Sequence, residues 1–347
     1  MIEDFRQILN PTGGMVFAMN SHPLSPALDA ADHAIIAPLA SDPTFPDFLL
    51  DTCSQYKIDA ICTLIDTDMH VLSNMRNDLM RIGTRLILPG AEALSVCRDK
   101  VMMNEWLRML GLPVIPTFNN VDEALNAVMS GTISFPLMIK PRRGTGSLFT
   151  YRVCDEEELI VLFRRALREI EGSPVTKETG YQSTEAIIIQ EFIRGTEFSL
   201  DLLNNLNGQF QCVIVKEKIA MRSGETDIAM TVDMPDLFRL GRKIAIALKH
   251  PFLIDMDLIV RDGIPYVMDM NPRIGGGYPF SIQAGVRLTE ALVRWLKDDE
   301  ADVSSILQPE IGKISMKGIC IRSALSPEKV IWASPPPHSR ASPNRPQ

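Results

Sequence analysis

The stretch Asp269-Met270-Asn271-Pro272-Arg273, followed by Gly275-Gly276-Gly277, decides the fold prediction for this chain. The preceding residues, 264–268, have the pattern of a strand. Side chains two residues apart on a strand share a face, so Asp269, Asn271 and Arg273 are predicted to project together. Oxygen donors beside a guanidinium suit a complex of Mg²⁺ with a polyphosphate, because Mg²⁺ prefers oxygen ligands and arginine pairs with phosphate. A strand-end turn with solvated polar residues is the alternative.

A second strand is predicted to bring another acid to the same place. Asp257 lies on Phe252–Val260, and a tight turn at Arg261–Gly263 would pair this strand with the one that carries Asp269. Asp257, Asp269 and Asn271 would then form a cluster of oxygen donors. Acids that keep an edge strand soluble are the alternative, but that explanation does not account for convergence with Asn271.

A lysine at the end of an apolar strand predicts a phosphate-binding loop. Lys140 follows Leu137-Met138-Ile139 and precedes Arg142-Arg143-Gly144-Thr145-Gly146-Ser147. The lysine is a point charge at the strand end, and the glycines let backbone N–H groups approach an anion closely. The sequence lacks the GxxxxGK[ST] pattern of a P-loop. A basic surface hairpin remains an alternative.

The stretch Gln190-Glu191-Phe192-Ile193 has the chemistry of an adenine slot. Adenine needs a flat apolar surface and a backbone donor–acceptor pair along its edge, and a strand that ends at Phe192-Ile193 can supply both. Glu197, further along, can accept hydrogen bonds from ribose hydroxyls. A strand–turn–strand with charged edges is the alternative.

The composition bounds the class of protein. The 347 residues are 46% hydrophobic and 22% charged, as in ordinary globular proteins. A net charge of −8 argues against a general nucleic-acid binder. The sequence shows no apolar run of about 18 residues and no signal-peptide pattern, so we expect no membrane partner and a cytoplasmic location. The six cysteines, without a CxxC, predict buried thiols.

Taken in order, these elements resemble the ATP-grasp superfamily, and most closely single-module proteins similar to the ATP-grasp domains of carbamoyl-phosphate synthase large chains. The resemblance runs from Asp99-Lys100 to Gly285, while Ser25–Asp32 and Ile65-Asp66-Thr67-Asp68 resemble the domain that precedes ATP-grasp. Position 269 holds Asp where the family usually has Glu. Position 257 holds Asp where carbamoyl-phosphate synthases carry Gln.

The resemblance implies an α/β and α+β architecture. An N-terminal parallel-sheet (pre-ATP-grasp) domain is expected at residues 1–93, shortened because the family's opening strand and Gly-rich turn are absent before Ile2. A two-lobed ATP-grasp domain is expected at 94–325, with a lid subdomain at about 113–188. Residues 326–347 are expected to be a disordered tail, because Ser334–Gln347 holds five prolines and no aliphatic residue larger than alanine.

The resemblance also implies site residues. Arg273, which would stabilise the transferred phosphoryl group, and Lys140 are the expected catalytic residues. Asp257, Asp269 and Asn271 would hold Mg²⁺, with Mn²⁺ as an alternative. The residues expected to bind ATP are Lys100, Lys140, Arg143, Gly144, Thr145, Gly146, Ser147, Gln190, Glu191, Phe192, Ile193 and Glu197.

The activity that the resemblance implies is an ATP-dependent carboxylate–amine ligase, which forms a C–N bond. ATP phosphorylates a carboxylate, and an amine then attacks the acyl phosphate, so the expected partners are a small carboxylic acid and an amine. Homodimers are common in the family, which leaves a homodimer open. One alternative is a nucleotide-binding module without ligase turnover. Another is an enzyme that phosphorylates bicarbonate, as carbamoyl-phosphate synthases do.

Overall fold

A computed structural model describes residues 1–144, 148–173, 183–222, 224–318 and 330–332. Its contacts divide the chain into two compact units. Unit 1 comprises Met1–Asp59, Met75–Thr84 and Gly318–Gln347, and unit 2 comprises Ala60–Asn74 and Arg85–Lys317. All the site residues predicted from the sequence belong to unit 2.

Helices and short strands alternate at the start of the chain, and longer strands follow. The helices in the described ranges are α1 (Ile2–Leu9), α2 (Pro26–Ala30), α3 (Phe45–Tyr56), α4 (Met69–Asn74), α5 (Arg76–Arg81), α6 (Ala91–Arg98), α7 (Lys100–Met109), α8 (Val121–Met129), α9 (Glu156–Ile170), α10 (Ser183–Ala186), α11 (Pro235–Leu248), α12 (Tyr278–Gln283) and α13 (Leu288–Lys297). The strands there are β1 (Phe17–Asn20), β2 (His33–Ile36), β3 (Ala60–Ile61), β4 (Arg85–Leu86), β5 (Thr117–Phe118), β6 (Leu137–Pro141), β7 (Tyr151–Val153), β8 (Ile187–Glu191), β9 (Thr196–Asn204), β10 (Phe210–Arg222), β11 (Glu225–Thr231), β12 (Leu253–Arg261), β13 (Ile264–Asn271), β14 (Ile314–Met316) and β15 (Val330–Trp332).

Unit 1 contains a parallel sheet of three strands in the order β1-β2-β15. Its core includes Leu28, Ala34 and Ile36. Disorder predicted for residues 326–347 is wrong at Val330–Trp332, which pairs with β2. These three residues have high strand propensity, whereas the prolines and serines that predicted disorder begin only at residue 334. The rest of that tail lies outside the described residues.

A four-stranded sheet in unit 2 has the order β5-β8-β6-β7, and its neighbouring strands are antiparallel. The helices α8 and α9 are capped by Asn120 and Asp155, whose side chains accept hydrogen bonds from backbone N–H groups in the first turn. Both helices bury their apolar faces against the sheet, around Leu137, Ile139 and Leu159. This sheet carries Lys140 at the end of β6 and Gln190 on β8.

The second large sheet of unit 2 has six antiparallel strands in the order β13-β12-β9-β10-β11-β14. One face is apolar and packs against α6, α7 and α11 through residues such as Leu200, Leu202 and Met256. Because successive side chains point to opposite faces, the intervening residues form a polar face. The residues of this polar face that matter for the site are Ser199, Asp201, Lys216, Lys218, Asp255, Asp257, Asp269 and Asn271.

Three details differ from the prediction. The sequence of residues 69–82 predicts a single helix, whereas the structure has two helices there, separated at Met75. The apolar pattern of residues 211–215 predicts a strand that ends at Val215, but β10 continues to Arg222, where it pairs with β11. Apolar alternation stops at Val215, and only pairing with neighbouring strands keeps the polar continuation extended. The domain boundary predicted at 93/94 falls inside α6, whose Leu94 and Val96 are buried.

The predicted fold class is confirmed. Parallel strands form the sheet of unit 1, and unit 2 combines two antiparallel sheets and a short parallel pair, β3–β4, with packed helices. Within the described residues, the structure has no helix of sufficient length and apolar character to cross a membrane. The apolar face of the six-stranded sheet packs in a core cluster of unit 2.

The substitution Met256→Ala tests the packing beneath the polar face. Met256 follows Asp255 and precedes Asp257 in the sequence, but its side chain lies on the apolar side of β12 and is fully buried. Truncation leaves a cavity, so we expect a loss of about 2–5 kcal/mol in the free energy of unfolding, measured with urea. Ile264→Ala, at the exposed start of β13, is the control and should change stability by about 0.5 kcal/mol. Equal losses would contradict this assignment of the two faces.

Candidate functional site

The antiparallel pair β12–β13 lies at the centre of the candidate site. Asp257 is directly opposite Asp269, and Asp255 is opposite Asn271. Directly opposed residues share a face, with β-carbons about 5 Å apart, so three carboxylates and one amide occupy a small area. The predicted pairing of these two strands is confirmed by this register.

Burial raises pKa values on this face. It raises the pKa of Asp255 to about 7, helped by the negative charge of Asp257 and opposed by Lys216. It also raises the pKa of Asp257, against Lys218 and with the help of Asp269. Crowded carboxylates of this kind are stabilised by a cation.

The donor set at this position fits a hard divalent ion. Asp257, Asp269 and Asn271 offer oxygen atoms from one face of one hairpin, and oxygen is the donor that Mg²⁺ prefers. In the described ranges, no group of three or more histidine, cysteine or carboxylate side chains forms a potential metal site. Two carboxylates and one amide would therefore need phosphate or water oxygens to complete the coordination of Mg²⁺.

Lysines from three other segments face these carboxylates. Lys100 Nζ lies 3.3 Å from Asp269 Oδ1, and Lys218 Nζ lies 2.7 Å from Asp257 Oδ1. Lys140 is close enough to both Lys100 and Asp269 for each to shift its pKa. The structure thus brings the two lysines predicted to bind phosphate to the same place as Asp269.

The amine of Lys140 has a pKa near neutral pH. Burial, followed by repulsion from Lys100, lowers the pKa of Lys140 to about 7, although Asp269 opposes the change. The group is therefore mainly charged below pH 7 and mainly neutral above it. Anionic phosphate nearby would favour the charged form and raise this pKa.

Asp99 holds the segments of the two lysines together. Its carboxylate is fully buried and accepts hydrogen bonds from two backbone N–H groups in the first turn of α7. Arg142 Nε donates to it at 2.8 Å, and Arg143 Nε donates at 3.3 Å. The backbone N–H of Lys100 donates to the carbonyl of Arg142 at 3.1 Å. The position of Lys100 is therefore linked to the start of the loop that follows Lys140.

Only part of the predicted phosphate loop can be placed. Arg143 and Gly144 are described, whereas Thr145, Gly146 and Ser147 lie outside the described residues. A β-carbon on Gly144 would lie 3.0 Å from the side chain of Pro141. The described part of the loop thus turns tightly at the end of β6, where a larger residue would crowd Pro141.

The residues predicted for adenine lie at the end of β8. Gln190 is 3% exposed, and its Nε2 donates to Thr117 Oγ1 at 2.7 Å, so the amide nitrogen is used within the sheet. Ile193 is buried in an apolar cluster with Ile115 and Ile259. This cluster has the apolar character that the adenine prediction requires.

The neighbouring predicted residues have charged contacts. Glu191 forms an ion pair with Arg261 at 3.0 Å, and the guanidinium of Arg152 lies 4.7 Å from the ring centroid of Phe192. Burial raises the pKa of Glu197, with Lys218 opposing and Asp257 adding to the increase. Glu197 therefore lies close to the lysine–carboxylate cluster.

The sequence prediction missed two lysines on β10. Lys218 forms the ion pair with Asp257, and Lys216 is fully buried 2.6 Å from Asp201. Their spacing of two on an extended strand puts both on the polar face. The sequence signal is the spacing of two between Lys216 and Lys218. It indicates a shared face only once the strand is known to continue beyond Val215.

The Gly275–Gly277 segment packs tightly on the polar face. A β-carbon on Gly275 would lie 1.8 Å from Asp255 Oδ2, and one on Gly277 would lie 2.9 Å from Lys216 Nζ. Lys216 Nζ also donates to the carbonyl of Gly277 at 3.2 Å. These positions need glycine because the segment lies directly against buried charged side chains.

Arg273, at the end of this hairpin, is held by an acid from a distant part of unit 2. Its Nε and Nη2 atoms donate to the two oxygens of Asp66, each at 3.0 Å. Arg98 Nη1 lies 3.2 Å from the same carboxylate. Although burial acts in the opposite direction, the hydrogen bonds that Arg273 donates to Asp66 raise the pKa of Arg273. The sequence analysis assigned no role to Asp66, which appeared there only within the segment Ile65–Asp68 that resembles the domain preceding ATP-grasp.

Comparison with protein families gives two matches. Residues 1–87 match the family described as "PylC-like, N-terminal domain", and residues 183–314 match "ATP-grasp in the biosynthetic pathway with Ter operon". The carbamoyl phosphate synthase large chain of Thermomicrobium roseum is 22% identical over 286 residues, which cover 79% of this chain and 25% of that protein. The large chain of Neisseria meningitidis is 26% identical and is covered to 20%. The chain thus spans about a quarter of the length of these relatives.

Solved structures share the fold at low sequence identity. The biotin carboxylase domain dimer of 2-oxoglutarate carboxylase from Hydrogenobacter thermophilus, in complex with MgADP, ADP and bicarbonate, has a TM-score of 0.68 and 18% identity. That comparison covers 90% of this chain and 70% of the other. An L-amino acid ligase from Bacillus licheniformis has a TM-score of 0.66 and 18% identity, covering 90% and 76%. Together with the family matches, these structures confirm the predicted likeness to ATP-grasp proteins.

The pH dependence of acetylation tests the environment of Lys140. Only a neutral amine reacts with acetic anhydride, so in the nucleotide-free protein the reactivity of Lys140 should rise through pH 7 and level off above it. Peptide mass spectrometry can follow this, with exposed Lys249 in the same digest as the reference for reagent decay. Reactivity that keeps rising tenfold per pH unit up to pH 9 would contradict the lowered pKa.

Proposed function

We propose that this chain, which is an ATP-grasp protein, is an ATP-dependent ligase that joins a small carboxylic acid to an amine. One observation carries the proposal. Lys100 and Lys140, from separate segments, meet Asp269 and its strand partner Asp257 on one face. Lysines and oxygen donors gathered at one point suit a triphosphate with its divalent ion.

The lysines would bind and orient the phosphates. Lys100 and Lys140 supply positive charge from one side, and Lys218 adds a third cation beside Asp257. Asp257, Asp269 and Asn271 are the residues that would hold Mg²⁺, which when bound neutralises phosphate charge. The hydrogen bonds through Asp99 would fix the position of Lys100 relative to the loop after Lys140. The nucleotide would be positioned mainly by charge.

Arg273 and the glycine segment would serve the transfer. The guanidinium of Arg273 is close enough to Asp255 and Asp269 to interact with both negative charges. It therefore lies near the carboxylates of the β12–β13 hairpin. There it would stabilise negative charge on the phosphoryl group as it moves to the carboxylate. At Gly276 a β-carbon would have no heavy atom closer than 3.9 Å, so the glycine there would leave room for the acceptor. Phosphoryl transfer of this kind requires no covalent protein nucleophile.

The partners follow from the same proposal. The two substrates would be small molecules, a carboxylic acid and an amine, and the nucleotide would be ATP. A homodimer is proposed by analogy with the biotin carboxylase domain dimer named above. A cytoplasmic location, where ATP is abundant, completes the proposal.

Phosphorylation of bicarbonate is the second candidate function. The relatives named carbamoyl phosphate synthase large chain and the structure in complex with bicarbonate favour it. The L-amino acid ligase has the same fold at similar coverage, so likeness of fold does not discriminate between the two reactions. The acceptor that stimulates ATP cleavage distinguishes them.

A substrate screen tests the proposed reaction. We expect phosphate release from Mg·ATP to depend on both a carboxylic acid and an amine, and the product to contain both groups by mass spectrometry. Cleavage stimulated by bicarbonate alone would replace the ligase proposal with the second candidate. Nucleotide binding without cleavage under any pair would favour a binding module without turnover.

Two substitutions test the nucleotide site itself. Lys140→Ala and Asp269→Ala should each abolish the rise in melting temperature that Mg·ATP produces, because each removes a charge at the point of convergence. Lys297→Ala and Asp233→Ala, at exposed positions, are charge-matched controls and should keep the full shift. Unchanged shifts in the first two variants would refute the site assignment.

A further inference from the structure

Asp66 has contacts that its place in the chain would not suggest. It begins a short 3-10 turn, Asp66–Asp68, and its carboxylate is only 6% exposed. Both of its oxygens accept hydrogen bonds from one guanidinium, that of Arg273, at 3.0 Å each. A paired arrangement of this kind fixes the plane of the guanidinium as well as its position.

We propose that Asp66 is a positioning residue that sets the orientation of Arg273 for phosphoryl transfer. The proposal rests on the proposed ligase function and assigns to Asp66 a role in that reaction. Arg273 follows the last residue of β13, where Asn271 ends the strand. A long side chain at a strand end has many rotamers, and the contact with Asp66 selects one of them.

The arrangement leaves Arg273 suited to act on an anion. The carboxylate of Asp66 is shared with Arg98, 3.2 Å away, so its negative charge is divided between two guanidinium groups. Arg273 also interacts with the charges of Asp255 and Asp269, which places it beside the predicted phosphate and metal residues. Asp66 therefore orients a guanidinium at the hairpin without fully neutralising it.

A purely structural role for Asp66 predicts a different outcome. A salt bridge that only stabilises the fold would lower the melting temperature when broken and would leave the rate per folded molecule unchanged. A positioning role affects the step in which charge develops on the phosphoryl group, because a small displacement of a catalytic group costs about 100-fold in rate. Binding of the nucleotide would be largely unaffected.

The decisive variant is Asp66→Asn, which keeps the volume and removes the charge. We expect kcat for cleavage of Mg·ATP to fall about 100-fold, whether it is measured with the best acid–amine pair or without an acceptor. The KM for Mg·ATP should stay unchanged. The rise in melting temperature that Mg·ADP produces should also stay unchanged. In an Arg273→Lys background, Asp66→Asn should cause no further loss, because the two residues act as a unit. Asp66→Glu, which keeps the charge but lengthens the side chain, should fall between the parent and Asp66→Asn.

The control is Asp299→Asn, which breaks a different aspartate–arginine ion pair, with Arg85. It should leave kcat unchanged. A second readout does not require turnover: with isotope-labelled arginine, the Nε–H signal that Arg273→Lys removes should exchange slowly with solvent in the parent and rapidly in Asp66→Asn. This signal reports the contact itself.

The outcomes separate the two hypotheses. An active parent whose kcat is unchanged by Asp66→Asn, or losses that multiply in the double variant, would overturn the positioning role and leave the proposed function intact. Rapid exchange of the Arg273 signal in the parent would also overturn it. A parent that binds Mg·ADP but cleaves no ATP under any condition would overturn the proposed function and, with it, the role of Asp66 in transfer.

Discussion

The register between β12 and β13 is the constraint on which the site depends. It places Asp257 against Asp269 and Asp255 against Asn271, on one partly buried face. Like charges at this spacing repel, and the raised pKa of Asp255 and Asp257 reflects that cost together with burial. Cationic side chains near this face therefore offset the negative charge, and they come from α7, β6, β10 and the end of β13. A hairpin shifted by one residue would send these acids into the apolar core.

Buried aspartates recur in unit 2 as anchors for cationic side chains. Asp99 holds Arg142 beside the first turn of α7, Asp201 pairs with Lys216 beneath the glycine segment, and Asp66 holds Arg273. Removal of one partner from such a pair leaves an uncompensated buried charge, which is costly. The pairs therefore fix geometry strongly, and each one adjoins a segment that the proposed reaction uses. The site is organised as a set of positioned charges, which suits phosphoryl transfer.

The likeness to known structures describes the scaffold more than the reaction. A biotin carboxylase domain and an L-amino acid ligase match this chain with nearly equal TM-scores, although their names describe different chemistry. Substrate choice lies in loops and side chains that vary on a common fold. The substrates of the proposed ligase must therefore be found by experiment.

Local sequence patterns were enough to predict the strands that carry Lys140 and Asp257, the hairpin that pairs Asp257 with Asp269, and the likeness to ATP-grasp proteins. The strands and the hairpin follow from apolar patterns and turn residues within short windows, whereas the likeness rests on the order of the motifs along the chain. The extension of β10 through Lys216 and Lys218, the strand Val330–Trp332, and the contact between Asp66 and Arg273 were decided only by the tertiary structure. Each depends on a partner strand or a partner charge far away in the sequence, and no local pattern records which partner the folded chain will supply.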